Sequence, residues 1–424
     1  MDQHNAAVSA ISSTVRNLYS RKLPFRIYHG STNSTRSQSF QHDQIVDISA
    51  LTHVLTIDPA AKTALVEPNV PMDKLVAATL RHGLVPPVVM EFPGITVGGG
   101  FAGTGGESSS FRHGFFDRTV TWIEVVLGNG DVVTASPNPG ENEDLFWGLS
   151  GSFGTLGVTT LLRVKLVETS KWLEVQYFPV HSARDAIDLL GKKVKDEKLD
   201  YVDGILFAAD RGVVVTGQRI DTMDPKKQSR VQTFTRPSDE WFYIHAEQIC
   251  QESPSESTIE YVPVADYLFR YDRGAFWMGQ FAYDYFFIPF NRLTRYFLDY
   301  FMHTRVMYHA LHKSRLSSTF IIQDMAVPWS AGNEFIGYLG ENFDRYPLWL
   351  CPIKPHARQH VSFHPQSLIH GDTGGDNMLL NVGLWTPGPS SHRAFIEANR
   401  ALEHKTYSLH GSKWALRPDF LHGR

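Results

Sequence analysis

The chain has 424 residues, 42% hydrophobic and 20% charged, so it is longer than one core usually holds and predicts two domains without long disorder. A formal net charge of -4 leaves no basic footprint for nucleic acid. Two distant cysteines, Cys250 and Cys351, exclude a disulfide framework or a zinc ribbon and fit a reducing compartment.

The chain opens without a basic n-region or an apolar h-region, and no window is apolar enough to span a bilayer, so neither a secretory signal nor a membrane span is expected. The sequon Asn33-Ser34-Thr35 then has no use, and the expected location is cytoplasmic. Residues 6–20 have helical spacing. Strand-like pieces follow at 25–28, 44–47, 54–57 and 63–67, with Asp58-Pro59 turning the last two. Residues 72–82 read as a helix. The Gly128-Asn129-Gly130-Asp131 turn predicts a hairpin between 120–127 and 132–135, and 158–166 closes this half. The texture changes near Lys171, so a boundary is drawn at 169, giving domains 1–169 and 170–424. Beyond it, 173–178 and 202–217 read as alternating strands, 183–195 as a helix, 222–260 as an irregular excursion, 319–385 as short strands and 391–404 as a helix.

The densest signal is Pro93-Gly94-Ile95-Thr96-Val97-Gly98-Gly99-Gly100-Phe101-Ala102-Gly103-Thr104-Gly105-Gly106-Glu107-Ser108-Ser109-Ser110. So many glycines predict a loop rather than a packed helix or strand. Its amides are expected to form an anion nest, with hydroxyls from Thr104 and the serines, for which a pyrophosphate is the natural guest. Gly98–Gly103 also fits G-x-G-x-x-G, but a Pro-Gly turn precedes it and more glycine follows, which rejects a Rossmann reading. A plain glycine-rich surface loop is the bland alternative. A second cluster runs from Asp144 to Thr159, and a third, donor-rich run is Tyr28-His29-Gly30-Ser31-Thr32-Asn33-Ser34-Thr35.

These three segments, in this order, resemble the FAD-binding domain of the vanillyl-alcohol oxidase / p-cresol methylhydroxylase (PCMH-type) superfamily. Within it the sequence is most similar to the delta-24 sterol reductases, the 24-dehydrocholesterol reductase (seladin) group. That likeness rests on Gly103–Ser110, Gly114-Phe115, Tyr201–Gly204, Glu260–Pro263, Phe276-Trp277, Gln323–Met325 and Tyr346–Pro352. The resemblance implies an α+β protein: a two-part PCMH-type FAD-binding domain, then a cap domain whose antiparallel sheet is flanked by helices. The carboxy-terminal part is expected to return to the FAD domain. By position, FAD would contact Ser31, Thr32, Asn33, Ser34 and Thr35. It would also contact Thr96, Val97, Gly98, Gly99, Gly100, Gly103, Thr104, Gly105, Gly106, Glu107, Ser108, Ser109 and Ser110, then Gly154, Gly157 and Val158, the last setting backbone against adenine. Many relatives attach flavin to a histidine near Asn33-Ser34; none is present, so noncovalent FAD is expected. The segment Lys413–Arg424 departs from the family's usual tail.

The implied reaction is reduction of an isolated carbon–carbon double bond in the side arm of a sterol, with hydride from flavin N5, a proton from an acid, and NADPH as reductant. Glu260 and Asp324 are the candidate acids, Tyr261 and Tyr346 the phenolic alternatives; salt-bridged or surface roles for the two carboxylates stand beside this reading. Glu107 is expected to hold the loop backbone. Two other readings stay open: an FAD-linked oxidase or dehydrogenase of another apolar metabolite, and a flavin- or sterol-binding protein without catalysis. The aromatic run Phe276–Phe301 reads as cap core, as the wall of a sterol channel, or as a surface dipping into a bilayer, so peripheral contact with the endoplasmic reticulum membrane is left open. His356 and His360 lack the glutamate of H-E-x-x-H, and His309 and His312 lack partners, so no metal site is assigned. No G-x-S-x-G elbow is present, which argues against a hydrolase.

Overall fold

In the computed structural model, the described residues are 1–30, 41, 43–223, 231–314, 319–355 and 378–414. Helix α1 (Asp2–Ser20) leads. It presents Val8, Ile11, Val15 and Leu18 at helical spacing to a small core with Val46, Val126 and Val158. Strands β1 (Arg26–Tyr28) and β2 (Ile45–Asp47) pair in parallel. β3 (Val54–Asp58) and β4 (Thr63–Val66) follow, then helix α2 (Met72–Leu80), the short β5 (Leu84–Val85), and helices α3 (Val97–Ala102) and α4 (Ser110–His113). The expected hairpin forms as β6 (Val120–Leu127) and β7 (Val132–Ala135), with Gly130 at φ 88° in its turn. Helix α5 (Glu143–Leu149), β8 (Gly157–Lys165) and β9 (Val167–Glu168) complete this half, whose antiparallel sheet has the order β3-β4-β8-β6-β7.

The remainder is built on one antiparallel sheet. Its members are β10 (Trp172–Val180), β11 (Tyr201–Ala208), β12 (Arg211–Ile220), β13 (Thr258–Pro263), β14 (Phe320–Pro328), β15 (Leu348–Ile353), β16 (Leu379–Pro387) and β17 (Ser412–Lys413). They are ordered β13-β10-β12-β11-β15-β16-β14-β17. Side chains alternate between two apolar layers: Val213 and Val215 face the layer shared with the first half, and Val214 faces the other. The outer layer is closed by α6 (Ala183–Lys193) and by two later helices, Gly332–Asn342 and His392–Ser408. The α+β expectation, with a helix-flanked antiparallel cap sheet, therefore holds.

Two local expectations are corrected. The stretch 222–260 is not irregular throughout: helix α7 (Phe242–Glu252) and the first residues of β13 lie in it. Its apolar positions Phe242, Ala246 and Ile249 recur at i, i+4 and i+7, a helical signal masked by polar neighbours. The glycine run also contains helix α3. Thr96 caps it, its hydroxyl accepting from the Gly99 amide. The glycines there serve close packing: a Cβ on Gly98 would lie 2.7 Å from Cβ of Pro68, and one on Gly100 would lie 2.3 Å from Met90 Cε.

Candidate active site

The three segments singled out in the sequence converge. Asn69 donates through Nδ2 to the His29 carbonyl at 2.7 Å, tying the turn after β4 to the start of the early loop. The same turn receives α3, since the amides of Gly98 and Val97 donate to the carbonyls of Pro68 and Val70. Ile27 of β1 packs against Gly154, whose φ is 79° and where a Cβ would lie 2.5 Å from Ile27 Cδ1, leaving no room for a side chain. Ser31, Thr32, Asn33, Ser34 and Thr35 lie outside the described residues, as do His356, His360 and 415–424.

The anion nest expected of the glycine run is not formed by its first part. The amides of Val97, Gly98, Gly99, Gly100, Gly103, Thr104 and Gly105 all donate inside the protein. The serine end is turned toward the cap. Ser108 carbonyl accepts from the Val202 amide of β11 at 2.8 Å, and Ser110 carbonyl accepts from Lys354 at 2.9 Å. Ser108 hydroxyl donates to Glu107 Oε2 at 2.5 Å, and Ser110 hydroxyl accepts from the Glu107 amide. Groups with spare capacity sit at the margins: His29 Nδ1, Ser109 Oγ and Arg118 Nη1 are buried without a hydrogen-bond partner. Residues 157–161 of β8 pair with β6, while β4 reaches only 162–165, so the edge beside Val158 carries no strand among the described residues. Spare donors and an open strand edge around three converging loops fit a flavin nucleotide.

Between this domain and the cap lies a buried polar cluster. Arg270 is 1% exposed. Its Nη1 lies 3.1 Å from Glu107 Oε1, and its Nη2 donates to Asp203 Oδ2 at 2.8 Å. The guanidinium stacks on Tyr267, 4.0 Å from the ring centroid. Asp203 Oδ2 also accepts from Tyr271 at 2.8 Å and from Trp349 at 3.1 Å. One cation thus serves two buried carboxylates, and burial drives Glu107 above the ordinary carboxylate range. The sequence points to Glu107 as a brace for its own loop; its cross-domain partner is the larger part of its role.

Glu91 stands beside this cluster. Met90 packs on Gly100 and Gly105, while the Phe92 ring meets Phe276 at 5.8 Å, Tyr308 at 6.1 Å and Trp385 at 5.8 Å. The intervening carboxyl is buried and lies within electrostatic reach of Glu107, Asp324 and Arg270. Burial raises its pKa to about 8, and the negative charges of Glu107 and Asp324 push the same way. The two acids expected from sequence are not brought together. Asp324 on β14 lies within electrostatic reach of Glu91 and faces Gly383, where a Cβ would come within 3.1 Å of Oδ1. Glu260 sits on the edge strand β13, six strands away at about 29 Å, bound to His245 Nε2 at 2.8 Å. Tyr261 donates to Glu174 at 2.9 Å on that same edge.

Sequence reasoning missed Glu91 and Arg270. The available signals were a single acid inside the apolar, Pro-rich Pro86–Pro93 run and an arginine flanked by Tyr267, Phe269 and Tyr271. The carboxy-terminal side also reaches this region. The Trp414 indole Nε1 donates to the Thr104 carbonyl at 2.8 Å, and its ring lies 5.7 Å from Phe115.

Residues 6–136 match the family model described as FAD binding domain. The sequence is 27% identical over 368 residues to a Delta(24)-sterol reductase of Macaca fascicularis, covering 85% of this protein and 68% of that one. It is 29% identical over 378 residues to the Delta(24)-sterol reductase of Pisum sativum, covering 81% and 64%. Cytokinin dehydrogenase 9 of Oryza sativa subsp. japonica is 32% identical over 160 residues, 37% of this protein and 30% of that one. The resemblance to PCMH-type FAD proteins, and among them to the delta-24 sterol reductases, holds.

Proposed function

We propose that this protein, an FAD-dependent oxidoreductase, reduces an isolated carbon–carbon double bond in an apolar, sterol-like substrate. The observation that carries the reading is Glu91: a buried acid within electrostatic reach of Arg270 and Asp324, in a segment whose Phe92 ring meets Phe276, Tyr308 and Trp385. Bound noncovalently, FAD would supply hydride, with NADPH as the reductant. His29, the early loop Ser31–Thr35, the run Thr96–Ser110, and Gly154, Gly157 and Val158 would hold it. With α3's amides already engaged, hydrogen bonds to the phosphates fall mainly to the early loop and to Ser109.

An unconjugated alkene gives little stabilisation to positive charge, so its protonation needs an acid that keeps its proton until the substrate is seated. Glu91 holds a proton on its carboxyl at neutral pH because it is buried and because ionising it would place a third negative charge beside Glu107 and Asp324. The buried rings would keep water away from the acid. Arg270, Asp203 and Glu107 fix the seam that positions these parts. Asp324 acts on Glu91 through its charge, and Glu260 has no part in the step.

The test is anaerobic mixing of the purified protein with NADPH and then with a sterol whose side arm bears a double bond. Expected are a flavin released into the supernatant by acid precipitation, bleaching by NADPH, and recovery of colour with one saturated product per flavin. Recovery with oxygen but with no alkene would overturn the reductase reading in favour of an oxidase. A folded, colourless protein whose melting temperature ignores FAD would remove the flavin itself.

A further inference from the structure

On β16, Leu379 and Trp385 enter the layer shared with the first half, while Leu380, Val382 and Leu384 enter the other. By the same alternation Asn381 points into the shared layer. It is 3% exposed, and its Oδ1 has no hydrogen-bond partner. A buried carbonyl without a donor costs stability, so its presence in a folded protein asks for a reason. Its neighbours across the strands supply no donor. Ala326 on β14 has an apolar side chain, and Cys351 on β15 turns Sγ to the Pro352 carbonyl at 3.9 Å. Asn381 also stands in the midst of the candidate site. Two positions before it, Leu379 pairs with Ile353, whose Cδ1 would lie 3.1 Å from a Cβ on Gly106 of the glycine run. Two positions after it, Gly383 is covered by Asp324. Directly opposite, with side chains about 5 Å apart at Cβ as is usual for such pairs, is Cys351, which lies within electrostatic reach of Glu91, Glu107 and Arg270.

We propose that Asn381 is a cap residue that positions the flavin ring: its side-chain carbonyl accepts the N–H on the pyrimidine edge of oxidised FAD. The inference rests on the proposed function and adds a residue to it. Chemistry decides between the two ligands of that reaction. The reacting end of the proposed substrate is hydrocarbon and carries no donor, so it would leave the carbonyl unpaired. A flavin ring carries an N–H in either oxidation state. The residue type fits as well. A carboxamide accepts without charge, whereas a carboxylate here would join Glu91, Glu107 and Asp324 in one buried region.

Full-length protein, stripped of flavin, is titrated with FAD while flavin fluorescence and melting temperature are followed. Asn381→Leu keeps the branched shape and removes the carbonyl. Without FAD the variant should melt higher than the parent, because the unpaired carbonyl is gone. It should bind FAD about tenfold more weakly, because the ring N–H is then the unpaired group. Asn381→Asp keeps an acceptor oxygen and adds a charge. It should still hold the flavin but shift its midpoint potential to more negative values, since a nearby negative charge opposes reduction. Gln323→Leu removes a buried, unpaired oxygen from the opposite face of the sheet, where Gln323 bonds Asn399, and should change neither affinity nor potential. Parental FAD affinity in Asn381→Leu, or an unshifted potential in Asn381→Asp, would overturn the proposal and leave Asn381 as a packing residue or the seat of a water. A parent that ignores FAD would remove the flavin reading and this assignment with it. The parent's own titration therefore tells the two failures apart, and neither readout needs turnover.

Discussion

At the scale of single residues, the proposed function turns on Glu91, a buried acid whose pKa burial raises to about 8. Glu91→Gln preserves volume and removes the acid. It should lower alkene reduction by about 100- to 10,000-fold, while bleaching of the flavin by NADPH stays at the parental rate; stopped-flow absorbance separates the two half-reactions. In the parent, the group is protonated below about 8 and ionised above it, so alkene reduction should fall as pH rises through that value. Equal loss in both half-reactions would make Glu91 a structural residue. None of this was legible from residue type alone, because a glutamate in a loop is usually a solvated one. Asp203 was more readable. Tyr201-Val202-Asp203-Gly204-Ile205-Leu206-Phe207 is otherwise an apolar run, and a carboxylate inside a strand buried on both faces must have partners. The partner itself, Arg270, is 67 positions away and could not be paired from sequence.

At the scale of elements, periodicity named most strands and helices, and failed where two rules competed. Helix α3 was unreadable because three successive glycines disfavour a helix on their own. Tertiary packing against Pro68 and Met90, with the Thr96 cap, overrides that preference. The helix Thr304–Ser314 shows another tertiary device at its start. His303 Nδ1 lies 2.5 Å from Asp272 Oδ2, and Nε2 lies 3.3 Å from Asp299. Hydrogen bonds to these two carboxylates raise the histidine pKa to about 9. A folded-state value above the ordinary 6.5 means that its stabilisation is complete below 6.5 and is lost as pH rises through about 9. Melting temperature should therefore fall between pH 7 and pH 10 in the parent, and fall less steeply in His303→Gln. Parallel curves would show that the cluster is held by Arg273 and Thr304 without the imidazolium.

At the scale of the whole molecule, Arg270 makes the two halves depend on each other. Arg270→Met would leave Glu107 and Asp203 buried together without a cation, a loss of about 3–5 kcal/mol. Chemical denaturation should then shift to lower denaturant, and the amino-terminal domain should separate from the cap as an earlier transition. Arg270→Lys should recover little, since one ammonium cannot span two carboxylates and stack on Tyr267. A single unchanged transition in Arg270→Met would show that the apolar layer alone couples the domains. The two-domain plan followed from length and from the change of texture near Lys171. The path by which one domain grips the other did not, because it is made by pairs distant in sequence.

The bond from Trp414 to Thr104 joins positions 310 residues apart. During synthesis the glycine helix must wait, with Thr104 and Phe115 uncovered by the indole, until the 310 residues up to Trp414 have been made. A nascent polypeptide halted before the indole is made would therefore carry an open seam beside Thr104 and Phe115.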